Sequence, residues 1–192
     1  MPAPIPTSQP LSPPAAGGPF GDATVRKLIA GSVGNVFRVM LSQETLPVEG
    51  TDDPEAAAGI GKPVVVPHDR IVGSIGFNGD ATGSVFLHFE LPFARACTRH
   101  LLGMSEEELA EAGNECLNDA IAEITNMTAG GFKNGLCDLG YPCLLTLPSI
   151  LRGSSFYVAP VSFAARHVAH FDCGGHRVTA EIFIKSADRD TP

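Results

Sequence analysis

The chain has 192 residues, enough for one domain with a sizeable core. Hydrophobic residues make up 44% and charged residues 18%, a globular composition, and a net charge of -8 without a basic patch argues against nucleic-acid binding. No apolar run approaches the ~20 residues of a membrane helix, and the N-terminus lacks the segments of a secretory signal, so a cytoplasmic protein away from the membrane is expected.

The five cysteines (Cys97, Cys116, Cys137, Cys143 and Cys173) are odd in number and form no CxxC pair. Reduced, structural thiols are the expectation.

Residues 1–22 hold seven prolines and no charge before Asp22. They cannot nucleate a helix or bury much surface, and are expected to be a disordered tail. Asp22 or Thr24 can cap a helix over roughly 24–42, whose apolar residues from Val25 to Leu41 follow a helical period. Residues 47–63 are acidic and rich in Gly and Pro, and read as a loop.

Ile71–Phe77 and Gly83–Glu90 read as strands around Asn78-Gly79, a strong hairpin signal. Pro92 opens a short helix through Leu102. Ser105 with Glu108 fits a capping box, so another helix begins there. Gly113 ends it, and Asn114 can cap the next.

That next stretch, Glu115–Leu136, reads as one long amphipathic helix. At about 100° per residue, Leu117, Ala120, Ile121, Ile124, Thr128, Gly131 and Phe132 share the side expected to pack on a sheet. Glu115, Asp119, Glu123, Asn126, Gly130 and Lys133 fall on the opposite side. Glu123 and Asn126, at i and i+3, place a carboxylate beside a carboxamide. Gly130 leaves a bare patch one turn further on, at a helix-propensity cost of about 1 kcal/mol against Ala. Any one such residue is ordinary on a solvated face; the combination suits contact with another molecule.

Cys143–Leu147 reads as a short buried strand ended by Pro148. The segment 148–155 leads to a last hairpin, in which residues 162–173 and 176–186 alternate and Gly174-Gly175 forms a two-residue turn. In that register Asp172 faces Arg177. The two halves look alike, each a long helix followed by antiparallel strands. An internal duplication is expected, in an α+β domain with long helices packed on an antiparallel sheet.

His167, His170, Cys173 and His176 have metal-like spacing, but alternation along a strand turns His170 away from His167 and Cys173. Those last two lie about 20 Å apart at ~3.3 Å per residue, against zinc–ligand distances of ~2.0–2.3 Å. No metal site is expected. Nor is any GxSxG, GxGxxG or P-loop pattern present. Asp119 and Glu123 could form an acid–base pair only if one were shielded from water, and both read as exposed.

The run DAIAEITNMTAGGFKNGL, followed by LTLPSILRG, resembles the chemotaxis phosphatases of the CheX and CheC type; so does IVGSIGFNGDATGSVFLHF. The resemblance covers about residues 23–186 and implies one CheX-like domain, here 23–187, between the tail and a C-terminal 188–192. It implies a duplicated antiparallel-sheet fold and hydrolysis of the aspartyl phosphate on a CheY-like response-regulator receiver. CheC-type members carry Glu-x-x-Asn on both long helices; here Ser32 stands where the first helix would have Glu, with Asn35 after it. One working site per chain is expected, as in the CheX type, whose members form dimers. Phe132 replaces a commonly small residue but projects toward the core.

On this resemblance Asn126 orients the attacking water, Glu123 pairs with the receiver's lysine, and Asp119, Gly130 and Lys133 meet the partner. The chain itself needs no cofactor, the Mg²⁺ belonging to the receiver. The competing reading is a non-catalytic module, since related folds occur as scaffolds in the flagellar switch.

Overall fold

The computed structural model describes residues 21–48, 64–156 and 164–186. Most of the Pro-rich tail, most of the acidic segment before Val64 and the C-terminal 188–192 therefore lie outside the described residues. Helix α1 spans Asp22–Leu41, followed by β1 (Leu46–Val48), β2 (Val64–Gly79) and β3 (Ala81–Glu90). Then come α2 (Leu91–Leu102), α3 (Glu106–Asp138), β4 (Cys143–Leu145), β5 (Ser149–Phe156), β6 (Ala165–Cys173) and β7 (His176–Ser186). Among the described residues no helix is long and apolar enough to cross a membrane.

The strands form one antiparallel sheet in the order β1-β6-β7-β3-β2-β4, with β5 also paired to β2. This order carries the expected duplication. Exchanging α1-β1-β2-β3 with α3-β4-β6-β7 returns the same order reversed, so the two halves are related by an approximate two-fold axis between β3 and β7. The halves interleave: β1 pairs β6, while β4 and β5 pair β2.

Strand parity separates the two faces. Val85, Leu87 and Phe89 of β3 and Val178, Ala180, Ile182 and Ile184 of β7 point under the helices. There they meet Val25, Ile29, Val33 and Phe37 of α1 and Leu117, Ile121, Ile124 and Phe132 of α3. Phe132 is fully buried and meets Phe77 edge-on, ring centroids 5.9 Å apart, as its expected inward projection requires. The opposite face holds buried polar groups, including Glu181 paired with Arg166 and His170 bonded to Thr179.

Several local expectations need correction. Helix α1 is capped by Gly21 without a side-chain bond. The Asp22 carboxylate is instead drawn to Arg26 and to His167 Nδ1, at 2.7 Å, on β6. Pro47 and Val48, placed in a loop by composition, belong to edge strand β1. The β2–β3 hairpin exists, but Gly79 is not a left-handed turn residue. Its missing side chain makes room for β4, because a Cβ there would fall 2.3 Å from the Pro142 carbonyl oxygen. The segment after Pro148 is not only a connector: it forms β5.

Other expectations hold. Ser105 and Glu108 form both bonds of the capping box. Gly113 breaks helical geometry at φ 74°, ψ -164°, so α3 is two helical segments joined at a kink. Gly174 and Gly175 both have positive φ, as a type I′ turn demands, and Asp172 faces Arg177. The Asp172 carboxylate accepts the Gly175 N–H at 3.2 Å.

Candidate partner-facing site on the second long helix

Helix α3 is seated by contacts with the sheet, with α1 and with the sheet edge. On the sheet side, Thr125 is fully buried over Gly73 of β2, where an added Cβ would lie 1.9 Å from the threonine Oγ1. Toward α1, Gly131 meets Ser32, whose Oγ would stand 3.0 Å from a Cβ at that glycine. One turn further, Gly135 makes room for Leu28. As the index rises along α1 it falls along α3, so the helices run antiparallel. At the sheet edge, Arg152 of β5 reaches Asn114 and Asn118, at the start of the post-kink segment.

This seating turns the remaining arc outward. Asp119 and Glu123 are exposed, and Asn126, Gly130 and Lys133 are half-buried. Among the described residues, the side chains of Asp119, Glu123, Asn126 and Lys133 have no hydrogen-bond or ion-pair partner. An added Cβ at Gly130 would meet nothing within 4 Å. One flank of the ridge is therefore bare. The ridge thus offers a carboxylate and a carboxamide with their bonding capacity unspent.

The wheel assigned two positions imperfectly. Gly131 lines the seam with α1 rather than the sheet, and Thr125, left off the apolar side, is the residue pressed on β2. A glycine inside a strand pattern, here Gly73, is the sequence signal for such a close approach. Sequence reasoning also missed Arg152 and Asn118, because a contact across 34 residues leaves no local pattern.

The first helix presents a different face. Ser32 is buried in the seam and its hydroxyl donates to the Leu28 carbonyl at 2.9 Å. Asn35 is exposed, but its carboxamide oxygen accepts from Arg38 Nη2 at 3.2 Å. Thus α1 shows no free acid–amide pair.

The histidines and Cys173 are engaged elsewhere. His167 pairs with Asp22, His170 with Thr179, and His176 stacks on Phe93 with centroids 4.6 Å apart. Among the described residues no three His, Cys, Asp or Glu side chains gather closely enough to hold a metal. All five cysteines are free thiols. Burial pushes the Cys97 and Cys173 thiols up to about 12, which makes them inert core groups.

Comparison with known proteins agrees with this architecture. The family model described as Chemotaxis phosphatase CheX matches residues 71–172, from β2 through β6. Among curated proteins no sequence matches. The chemotaxis protein CheX from Vibrio vulnificus is similar, with 23% identity and a TM-score of 0.67 over 86% of this chain and 99% of that one. CheX in a CheX–CheY–BeF3–Mg²⁺ complex from Borrelia burgdorferi has 18% identity and a TM-score of 0.58, covering 83% of this chain and 97% of that one. Thermotoga maritima FliY, at 14% identity and a TM-score of 0.57, covers 93% of each chain. These structures share the fold, and the family match spans 102 of 192 residues, with the Glu123–Asn126 ridge inside it. The chain belongs to the CheX family of chemotaxis phosphatases.

Proposed function

We propose that this protein hydrolyses the aspartyl phosphate of a CheY-like receiver domain, with Asn126 as the catalytic residue and Glu123 as the docking group. The observation that carries the proposal is the ridge itself. An exposed carboxylate and a half-buried carboxamide stand at i and i+3 of one helix, without partners in the described chain. Gly130, a bare position, follows one turn on.

Phosphoryl transfer asks a protein mainly for positioning and electrostatic support. The receiver supplies the phosphoaspartate, a lysine and Mg²⁺; an oriented water is what it lacks. The Asn126 carboxamide has an acceptor to take a water proton's hydrogen bond and a donor to face a phosphoryl oxygen. It holds that geometry without titrating. Glu123 forms a charge-assisted bond to the receiver's lysine, which strengthens as the interface excludes water. Asp119 and Lys133 flank the contact, and Gly130 admits the receiver's loops. One aligned amide is an adequate source of rate, since each tenfold needs about 1.4 kcal/mol. A homodimer belongs to the same reading. Leu144, Leu147 and Leu151, exposed by 78%, 87% and 43%, give the β4–β5 edge an apolar surface for a second copy.

Phosphate release from a phosphorylated receiver tests the proposal. Wild type accelerates release and Asn126→Ala abolishes the acceleration while still binding the receiver. Binding without any acceleration by wild type would leave the scaffold reading standing instead.

A further inference from the structure

The outward ridge is only as well placed as the helix that bears it. Ile150 and Arg152 of β5 share the helix-facing side of the sheet by strand parity, opposite Gly73 and Ile71 of β2. Ile150 packs against the core, while Arg152 rises past the sheet edge to α3. Its guanidinium makes three hydrogen bonds there. Nε donates to Asn118 Oδ1 at 2.9 Å, Nη1 to Asn114 Oδ1 at 2.7 Å, and Nη2 to the Asn114 carbonyl at 3.1 Å.

Asn114 immediately follows the kink at Gly113, where helical bonding is interrupted. Asn114 and Asn118 stand at i and i+4, on one side of the helix. A planar fork that grips both fixes the post-kink segment in rotation as well as in height above the edge. The seats of Thr125 on Gly73, Gly131 on Ser32 and Gly135 against Leu28 are steric contacts, whereas Arg152 supplies charged, directional bonds near the kink.

We propose that Arg152 is a positioning residue for the phosphatase ridge, acting through Asn114 and Asn118 to set the rotation of α3 and hence the reach of Asn126. The inference rests on the function proposed above. Asn126 lies eight residues beyond Asn118, about 12 Å along the axis. A side-chain tip at a radius of about 5–6 Å moves about 1 Å when the helix turns by about 10°. A misplacement of that size can cost about 100-fold in rate. The clamp is solvent-exposed, so its loss costs little stability.

The test compares R152A, N118A, N118D and the R152A/N118A double variant by phosphate release at saturating phosphorylated receiver, with N126A as reference. R152A and N118A each lower the maximal rate about 10- to 100-fold. The receiver concentration at half-maximal rate changes less than threefold, and Tm stays within about 4 °C of wild type. The double variant is no slower than the slower single one, because both break one clamp. N118D, whose carboxylate still accepts from Arg152, retains the wild-type rate. A wild-type rate in R152A, or an N118D as slow as N118A, overturns the clamp while leaving the phosphatase reading intact. If wild type accelerates nothing, that reading falls; amide exchange then judges the clamp alone, and unchanged exchange across residues 118–126 in R152A overturns it.

Discussion

Gly73 of β2 lies directly beneath Thr125 of α3, so close that a methyl group there would sit 1.9 Å from the threonine hydroxyl and 2.9 Å from its Cβ. Thr125 cannot rotate away cheaply: it is fully buried, and its Oγ1 already donates to the Ile121 carbonyl at 2.7 Å. The residue that follows it is Asn126. Sheet, helix and proposed catalytic amide are thus coupled through one missing side chain.

Gly73→Ala should therefore act on both stability and activity. The overpacked methyl costs about 1–3 kcal/mol, measurable as a lower denaturant midpoint. It also lifts α3 and misplaces Asn126, so phosphate release should fall at least tenfold even where the protein is fully folded. Pairing it with Thr125→Ala, which removes the Oγ1 that would stand 1.9 Å away, should recover part of the stability.

Gly130 predicts the opposite pattern. It sits inside α3 without a positive φ, and a Cβ there meets open space. Gly130→Ala should stabilise the protein by about 0.5–1 kcal/mol through helix propensity and lower unfolded-state entropy. Gly130→Trp should fold equally well yet weaken receiver binding at least tenfold, read by titration of a labelled receiver. Equal binding by the Trp variant would place the docking surface elsewhere.

The buried polar cluster on the sheet's other face gives a pH prediction. Burial raises the Glu181 carboxyl, but the neighbouring His88 and Arg166 outweigh it and hold the group below its ordinary value. In the unfolded chain Glu181 takes up its proton near pH 4.5, before the folded chain does. Acidification below that point therefore favours unfolding, and the stabilisation present above it is lost as pH falls through the folded value. Thermal melts should show Glu181→Gln less stable by roughly 3 kcal/mol at pH 7, since Arg166 loses its buried carboxylate. The variant's stability should also decline less steeply below pH 4.5.

The capping box offers a local control. Ser105→Ala removes the acceptor for the Glu108 N–H, now 3.2 Å away, and should cost about 1 kcal/mol. Because Gly113 separates this turn from the ridge, phosphate release should remain near wild type.

Much of this organisation was legible in the sequence because it is written in local periods. The helical stripe from Leu117 to Phe132, the Ser105–Glu108 cap and the Gly174-Gly175 turn each follow from neighbours within a few residues. The outward placement of Glu123 follows from the same wheel; the half-burial of Asn126, which the wheel set on the polar side with it, does not. What escaped depends on contacts between distant segments. Strand β1 is three residues long, all exposed, and exists because β6 offers it a partner. Strand β5 contains Ile150 and Arg152 facing the helices, a pair without an apolar signature, and is held by β2. Gly79 and Gly131 are explained by Pro142 and Ser32, neither of which the local pattern can nominate.

The interlocking of the two halves has a consequence for assembly of the chain. Among the described residues neither half completes the sheet by itself, since β1 pairs with β6, β5 with β2 and β3 with β7 across the halves. Cleavage in the exposed turn at Gly103, between α2 and α3, should yield two pieces that are unstructured alone and recover the native spectrum when mixed. Folding then waits on long-range closure rather than on either helix, and a nascent first half must stay soluble until its complement leaves the ribosome.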